Sequence, residues 1–188
     1  MKKWMRFRGD GAGYQYRVAS NQFIVQLTGG SITIWDRQSN ERLKSHSGNH
    51  YLYTGDISPD ESECFALENG KHFYVYSLED FELRKRVTLP RGYESIDMYG
   101  HYSEDGNYIY IPASRWVGNE YLSQGYYEHA VCKYETETYT LTDKMVVDNW
   151  WDYRWRLGDV WTKPTTGSAD ADIDTIMKLI FGDEKGTE

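Results

Sequence analysis

The sequence has few cysteines and no long apolar run, and both shortages limit what the protein can be. Its 188 residues include two cysteines, Cys64 and Cys132, so no disulfide framework is expected. Each stands among apolar residues of a strand-like segment, which predicts two buried thiols. No segment approaches the ~20 apolar residues of a membrane-spanning helix, and the basic first residues lack the apolar stretch of a signal peptide. We therefore expect a cytoplasmic protein with no membrane partner.

Positive charge is also in short supply. The chain carries 21 lysines and arginines against 29 aspartates and glutamates, which gives a formal net charge of −8. A nucleic-acid-binding protein needs a basic face to neutralise phosphates, so a nucleic-acid partner is not expected. A protein with a basic surface would instead be attracted by this charge.

Sequence motifs of catalysis and metal binding are missing as well. There is no Gly-x-Ser-x-Gly elbow, and the glycine-rich segment GDGAG lacks the Lys-Ser/Thr pair of a phosphate loop. Asp170, Asp172 and Asp174 begin like a calcium loop, but Thr175 stands where that loop needs glycine. The five histidines do not form a zinc-binding pattern. We predict a protein that is not an enzyme, without catalytic residues, metal ligands or cofactor.

Aromatic residues, by contrast, are abundant and make up 16% of the chain, which favours strands. The clearest strand pattern lies in residues 51–90, where four short segments are separated by turn residues. The predicted strands are residues 51–57, 63–67, 72–76 and 82–89. The turns between them are Ser58-Pro59-Asp60, Asn69-Gly70 and Glu79-Asp80. Asn69-Gly70 is a strong hairpin signal because both residues tolerate a positive φ.

This four-strand unit recurs along the chain. An alternating strand ends in an aromatic residue and a small or acidic one three times, at Trp35-Asp36, Tyr76-Ser77 and Tyr134-Glu135. Trp35 and Tyr76 lie 41 residues apart, which matches the ~40–45 residues of a four-stranded propeller blade. The next interval is 58 residues, so the third copy contains an insertion, which we place at residues 114–128.

Three of these segments resemble WD40-like β-propeller repeats. They are the Trp35-Asp36 strand end, the Ile57-Ser58-Pro59-Asp60 turn and the Tyr102-Ser103-Glu104-Asp105-Gly106 turn. The resemblance covers Tyr14 to Val147 and implies an all-β fold of about three four-stranded antiparallel blades. It implies little about function, because this architecture serves many functions.

We therefore predict one mainly all-β domain over residues 1–167, with repeats at about 14–48, 49–90 and 93–147 and a partial fourth at 148–161. A closed propeller typically needs 4–8 blades, so a degenerate fourth blade and an open arc are both open alternatives. Two open arcs could pair their edges as a homodimer. A two-sheet β-sandwich is the alternative fold.

The last segment changes period and predicts one C-terminal α-helix with its tail over residues 168–188. Ile173, Ile176, Met177 and Ile180 fall on one helical face, and Gly182 marks the end. The sequence leaves open whether this apolar stripe packs on the chain's own body or on a partner.

The candidate site is one face of the repeats. Loops between the second and third strands of a blade emerge beside the connections between blades, and loops on a rigid scaffold often carry function. That face would gather the insertion and the aromatic segment after residue 148. The candidate binding residues are Trp116, Tyr121, Tyr126, Tyr127, Trp150 and Trp151.

Two hypotheses for function follow. The first is a non-catalytic protein-binding module, either a scaffold or an immunity-type protein that neutralises a basic toxin. The second is a carbohydrate or small-ligand binding protein, because aromatic faces stack on sugar rings. A glycoside hydrolase is the less favoured form of the second, since no feature singles out a carboxylate pair among the 29 acidic residues.

Overall fold

Most of the described chain is β-structure. A computed structural model describes residues 15–48, 51–95, 99–119, 124–148, 177–178 and 180–182. The strands in these ranges form three four-stranded antiparallel sheets, which confirms the predicted mainly all-β class. Sheet 1 contains β1 (Gln15–Ala19), β2 (Phe23–Thr28), β3 (Ser31–Asp36) and β4 (Arg42–His46). Sheet 2 contains β5 (Leu52–Ile57), β6 (Glu63–Glu68), β7 (His72–Ser77) and β8 (Leu83–Thr88). Sheet 3 contains β9 (His101–Tyr102), β10 (Tyr108–Asn119), β11 (Gln124–Glu135) and β12 (Leu141–Val146).

Sheet 2 lies between the other two and is buried on both faces in its first three strands. Side chains alternate across a strand, so Cys64 and Ala66 face sheet 1 while Phe65 and Leu67 face sheet 3. One core therefore joins sheets 1 and 2, and a second joins sheets 2 and 3. Cys64 and Cys132 are both fully buried, as predicted. Three sheets packed in succession differ from a two-sheet sandwich.

The sheets are arranged with their first strands together. Strand β1 contacts β5, and β5 contacts β9, and both β5 and β9 are completely buried. The fourth strands lie at the outer edge, where β8 and β12 are mostly exposed and β4 is half-buried to exposed. Neighbouring sheets that share an inner edge and expose their outer strands are arranged like propeller blades.

The three sheets repeat one another in detail. The ladder between the third and fourth strands shifts register just before the signature aromatic residue of each sheet: Trp35, Tyr76 and Tyr134. The following turn then places one residue in the left-handed region at an equivalent position. These residues are Asn40 (φ 56°), Phe81 (φ 63°) and Tyr139 (φ 57°).

Two of these left-handed residues are aromatic, which is uncommon, and both contact the preceding sheet. Phe81 packs against Phe23 of sheet 1 with the ring centroids 6.2 Å apart. The Tyr139 hydroxyl donates a hydrogen bond to Glu63 of sheet 2 at 2.5 Å. Asparagine tolerates this backbone region by itself, so Asn40 needs no such contact. The aromatic residues hold a strained conformation, on the order of 1–3 kcal/mol, through packing between sheets.

The turn between the first and second strands also recurs. Ser58 Oγ donates to Asp60 at 2.6 Å, and Ser103 Oγ donates to Asp105 at 2.6 Å. In both turns the serine hydroxyl also accepts the first backbone N–H of the second strand. Burial raises the pKa of Asp60 and Asp105, but hydrogen bonds from serine hydroxyls and backbone N–H groups outweigh it and lower both.

Glu61 differs from the residue at the equivalent position of the third sheet. It has a φ of 61° at the position where the third sheet has Gly106, with a φ of 77°. Its carboxylate accepts hydrogen bonds from Ser20 Oγ (2.8 Å), Asn21 N (3.1 Å) and Gln22 N (3.0 Å) of sheet 1. Burial raises the pKa of Glu61, but these hydrogen bonds lower it by more. A strained glutamate thus ties sheet 2 to sheet 1.

We expect Glu61→Ala to lower the free energy of unfolding by about 1–2 kcal/mol, because it removes charge-assisted hydrogen bonds and keeps the strain. Glu61→Gly loses the same bonds but relieves the left-handed strain, so it should be about 1 kcal/mol more stable than Glu61→Ala. Urea unfolding followed by circular dichroism measures both. The control is Gly106→Ala, which adds the strain without removing a bond. Equal stability of the two Glu61 variants would contradict this account.

Other predicted elements fall largely outside the described residues. The partial fourth repeat at 148–161 does so apart from Asp148. Of the predicted C-terminal helix only residues 177–178 and 180–182 are described, with Gly182 N donating to Lys178 O at 2.8 Å. So short a segment does not establish a helix, which stays a prediction. In the described ranges, no helix is long and apolar enough to cross a membrane.

Candidate interaction surface

The insertion in the third repeat is an extension of two strands rather than an irregular loop. β10 and β11 are each 12 residues long and pair from Tyr108↔Glu135 to Asn119↔Gln124. The pairing of β12 with β11 stops at Ala130↔Val146. Residues 115–119 and 124–128 therefore continue beyond the neighbouring strand as a two-stranded hairpin. We call these ten residues the arm.

One face of the arm carries Trp116 and Tyr127, which lie directly opposite each other. Their rings meet edge to face with centroids 5.1 Å apart. The indole covers Gly125, where an added Cβ would lie 2.7 Å from Trp116 Cζ2. Tyr127 also stacks on His129 at 6.4 Å and stays 57% exposed. The half-buried tryptophan thus supports an exposed tyrosine.

The other face carries Tyr126, opposite Val117, and its side chain is 61% exposed. Beside this pair, Arg115 Nε and Nη2 donate to the two Glu128 carboxylate oxygens at 2.8 and 3.2 Å. A two-point ion pair across the ladder fixes the register at the base of the arm. Tyr126 is therefore exposed on a hairpin that this ion pair stabilises.

Tyr93, from the connection between sheets 2 and 3, anchors this base. Two cations lie close to its ring, with Arg115 Cζ 5.1 Å and Lys144 Nζ 4.4 Å from the centroid. The Tyr93 hydroxyl donates to Glu128 and accepts from Lys144 Nζ at 3.0 Å. The hydrogen bonds from Tyr93 and Arg115 lower the pKa of Glu128. Burial raises the pKa of Tyr93, and the hydrogen bond that its hydroxyl donates to Glu128 raises it further.

The connection between sheets 2 and 3 passes beside the base of the arm. Gly70, in the turn between β6 and β7, forms a bridge with Ser95 of the connection to sheet 3. The preceding residue of that connection, Glu94, bridges Ser114, which comes directly before the arm. Tyr51, at the connection between sheets 1 and 2, adds a side chain that is 48% exposed.

The structure brings together only part of the predicted residue set. Trp116 and Tyr127 touch, and Tyr126 lies on the opposite face of the same arm. Tyr121, Trp150 and Trp151 lie outside the described residues. The Arg115–Glu128–Tyr93–Lys144 cluster at the base was missed, because nothing in the sequence links residues so far apart.

The opposite face contains a polar cleft of about 670 Å³ between sheets 2 and 3. Asp60, Glu63, Asp105, Glu137, Arg84 and Tyr139 are among its lining residues. Asp60 and Asp105 accept the hydrogen bonds of their own turns. Within the described ranges, no three histidine, cysteine or carboxylate groups are placed to hold a metal ion. Glu63 accepts hydrogen bonds from Tyr102 and Tyr139 of sheet 3, so three of these carboxylates stabilise turns and sheet contacts.

The two cysteines are poor nucleophiles. Burial raises the pKa of the Cys64 thiol, and the neighbouring Glu63 and Asp56 charges add to the effect. Burial also raises the pKa of Cys132 to about 12. A thiol with so high a pKa contains almost no reactive thiolate at neutral pH.

Comparisons with known proteins support the architecture alone. No protein-family model matches the chain, and no curated protein matches it either. Among solved structures, the chain is similar to the hydrazine synthase of Kuenenia stuttgartiensis, with 15% identity and a TM-score of 0.55. The match covers 67% of this chain and 34% of that one, so the chain spans about a third of the neighbour's length. At this identity the likeness concerns the fold alone. Together with the three sheets, it is consistent with a propeller-like repeat protein.

Proposed function

We propose that the protein is a non-catalytic interaction module, built on propeller-like repeats of the WD40-like kind, that binds another protein through the arm. The observation that carries this proposal is the exposure of Tyr126 and Tyr127, 61% and 57%, on opposite faces of a braced hairpin. Tyrosine is enriched at binding hot spots because its large ring loses little conformational entropy when it is buried.

The shape of the arm favours a protein over a sugar or a small ligand. Small-ligand sites are concave and enclose most of the ligand. The exposed tyrosines stand on a projecting hairpin, whereas the polar cleft lies on the other face and has Tyr139 in its lining. A partner that wraps around the arm can use both tyrosines at once. Carbohydrate binding, with or without hydrolysis, remains the alternative proposal.

The charge of the chain suggests the chemistry of the partner. A net charge of −8 attracts a basic surface and speeds association with it. An immunity-type protein that neutralises a basic toxin in the cytoplasm, or a scaffold protein, would fit this charge. The expected partner is therefore a basic protein.

The test compares capture by wild-type protein with capture by two variants in native lysate, measured by quantitative mass spectrometry. We expect the wild type to recover a specific basic protein and Tyr126→Ser/Tyr127→Ser to lose it. Each hot-spot tyrosine should contribute about tenfold or more in affinity, measured by calorimetry with the purified partner.

The matched control is Leu83→Ser, which removes an exposed apolar side chain, 47% exposed, from the outer edge of sheet 2. It should bind like the wild type. Equal binding by the tyrosine variant and the wild type would reject the arm as the contact. Recovery of no protein, combined with a glycan that quenches tryptophan fluorescence, would favour the carbohydrate alternative.

A further inference from the structure

Residues 124–128 of the arm form an outer edge of sheet 3 that no described strand covers. β12 follows β11 only as far as Val147, whose backbone N–H donates to His129 O at 2.9 Å. Beyond that point, within the described ranges, β11 pairs with β10 alone. The edge that β12 covers in the body of the sheet is therefore open beside the arm.

The backbone groups on this edge belong to Gly125 and Tyr127. In an antiparallel ladder the N–H and C=O groups of successive residues point to opposite edges of the strand. Because the His129 carbonyl points toward β12, the groups of Tyr127 and Gly125, at the preceding alternate positions, point the same way. Gly125 has no side chain, so its exposed surface is backbone. In the described part of the chain, neither residue forms a hydrogen bond beyond the ladder with β10.

This edge also differs in charge from the other outer strands of the described ranges. β4 carries Arg42 and Lys44, β8 carries Arg84, Lys85 and Arg86, and β12 carries Asp143 and Lys144. Charged residues on an edge strand oppose pairing with another chain. Residues 124–127 contain neither charge nor proline. Of these outer strands, the arm is thus the one suited to accept another strand.

The base of this edge indicates the chemistry of the strand that fits it. An antiparallel strand beside the arm would continue the direction of β12. It would begin next to Asp148, which is exposed and directly follows Val147, so a lysine or arginine at its start would meet a carboxylate. Further along, its side chains would alternate between the face of Tyr126 and the face of Tyr127. One added strand would then contact both exposed tyrosines.

We propose that the arm binds its protein partner by strand addition: an extended, uncharged, β-forming segment of the partner pairs antiparallel with residues 124–128, and a basic residue at its start contacts Asp148. This inference rests on the proposed function, because it specifies how the arm holds a basic protein. Backbone hydrogen bonds give such a complex its affinity, and alternate side chains give it specificity. A second copy fits less well, because two β11 strands paired about Tyr126 would run on into the position opposite His129, where Val147 already lies.

Amide hydrogen exchange, measured by NMR on the full chain, tests the edge without any ligand. We expect the amides of Gly125 and Tyr127 to exchange fast, whereas those of Tyr126 and Glu128, which point toward β10, should exchange at least about tenfold more slowly. Slow exchange of Gly125 and Tyr127 in a monomer would mean that another segment of the chain covers the edge, and would overturn the proposal. Slow exchange in a dimer, detected by light scattering, would overturn it in favour of a second copy.

The probe for binding is a short blocked peptide that begins with two lysines and continues with alternating threonine and valine. We expect it to slow the exchange of the Gly125 and Tyr127 amides and to leave that of Tyr126 unchanged. Tyr127→Pro removes the outward N–H, which an edge strand tolerates. Tyr127→Val is the matched control, because it loses the same ring and keeps the N–H. The peptide should bind Tyr127→Pro roughly fivefold or more weakly than Tyr127→Val.

Should Tyr127→Pro fail to fold, Asp148→Asn carries the test: it should weaken binding of this peptide but not of one whose lysines are replaced by serines. Equal binding by the two Tyr127 variants, or a peptide that protects neither Gly125 nor Tyr127, would overturn strand addition. The proposed function fails by a different result, which is undiminished partner binding by Tyr126→Ser/Tyr127→Ser. That result would leave the exchange pattern of the free edge unchanged.

Discussion

Replacing Gly55 with alanine should lower the free energy of unfolding by at least about 3 kcal/mol. Gly55 lies in β5, the innermost strand of sheet 2, and has no room for a side chain. A Cβ there would lie 2.1 Å from the carbonyl oxygen of Phe65 and 3.2 Å from Leu27 Cδ1. A backbone oxygen held in a ladder cannot move aside as a flexible side chain can. The strand would have to shift and disturb both cores, an extreme case of overpacking.

The matched control is Gly92→Ala. Gly92 has a φ of 84° with nothing within 4 Å of an added Cβ, so alanine there adds backbone strain without a clash. We expect a loss of about 1 kcal/mol from this strain. Urea unfolding followed by circular dichroism and tryptophan fluorescence gives both values. A Gly55→Ala loss no larger than that of Gly92→Ala would mean that the close approach of β5 and β6 is easily relaxed.

The strands of this fold could be predicted because their signals are local. Alternation and turn residues are read within a few positions, and Asn69-Gly70 and Ser58-Pro59-Asp60 both lie between strands. Neither Asn69 nor Gly70 has the positive φ that the hairpin signal predicted, because Gly70 forms a bridge with Ser95 instead. The repeated aromatic strand ends coincide with repeated register shifts in the structure. Nothing local, however, indicates that Gly55 must lie against another backbone, since that depends on how β5 and β6 meet.

The candidate site was predictable in composition but not in shape. Trp116, Tyr126 and Tyr127 were found because aromatic residues cluster in an insertion. The insertion was expected among the loops, yet its Gly118 and Gly125 lie opposite each other within a continuous ladder. Glycine normally weakens a strand, and here the Trp116 ring packs over Gly125. The support from Tyr93 and Lys144 depends on contacts between distant segments, which one sequence does not contain.

Glu63 is the second position at which a single change should have a large effect. It is 8% exposed, and its two carboxylate oxygens accept hydrogen bonds from Tyr102 Oη (2.9 Å) and Tyr139 Oη (2.5 Å) of sheet 3. We expect Glu63→Leu to lower the free energy of unfolding by about 2–4 kcal/mol, because two phenol hydroxyls lose their acceptor and Tyr102 is buried away from water.

A double-mutant cycle separates the hydrogen bonds from packing. In the Tyr102→Phe/Tyr139→Phe background the hydroxyls are absent, so Glu63→Leu should cost about 1 kcal/mol or less. The coupling energy would then be about 1–3 kcal/mol, measured by urea unfolding of the four proteins. Simple additivity would show that Glu63 acts through its volume rather than by joining sheets 2 and 3.

The same tyrosines should make the protein sensitive to alkali. Burial raises the pKa of Tyr102 well above 10.0. The charge of Glu63, and the hydrogen bond that the Tyr102 hydroxyl donates to it, raise this pKa further. Above about pH 10 the unfolded chain therefore loses the Tyr102 proton while the folded protein keeps it, so stability falls as pH rises. In Tyr102→Phe the free energy of unfolding should fall less between pH 10 and 11 than it does in the wild type. Below pH 9 the difference in free energy of unfolding between variant and wild type should stay constant. Urea unfolding at each pH measures both. An unchanged alkaline slope in Tyr102→Phe would mean that Tyr102 ionises as readily in the folded protein as in the unfolded chain, which the buried contact with Glu63 does not allow.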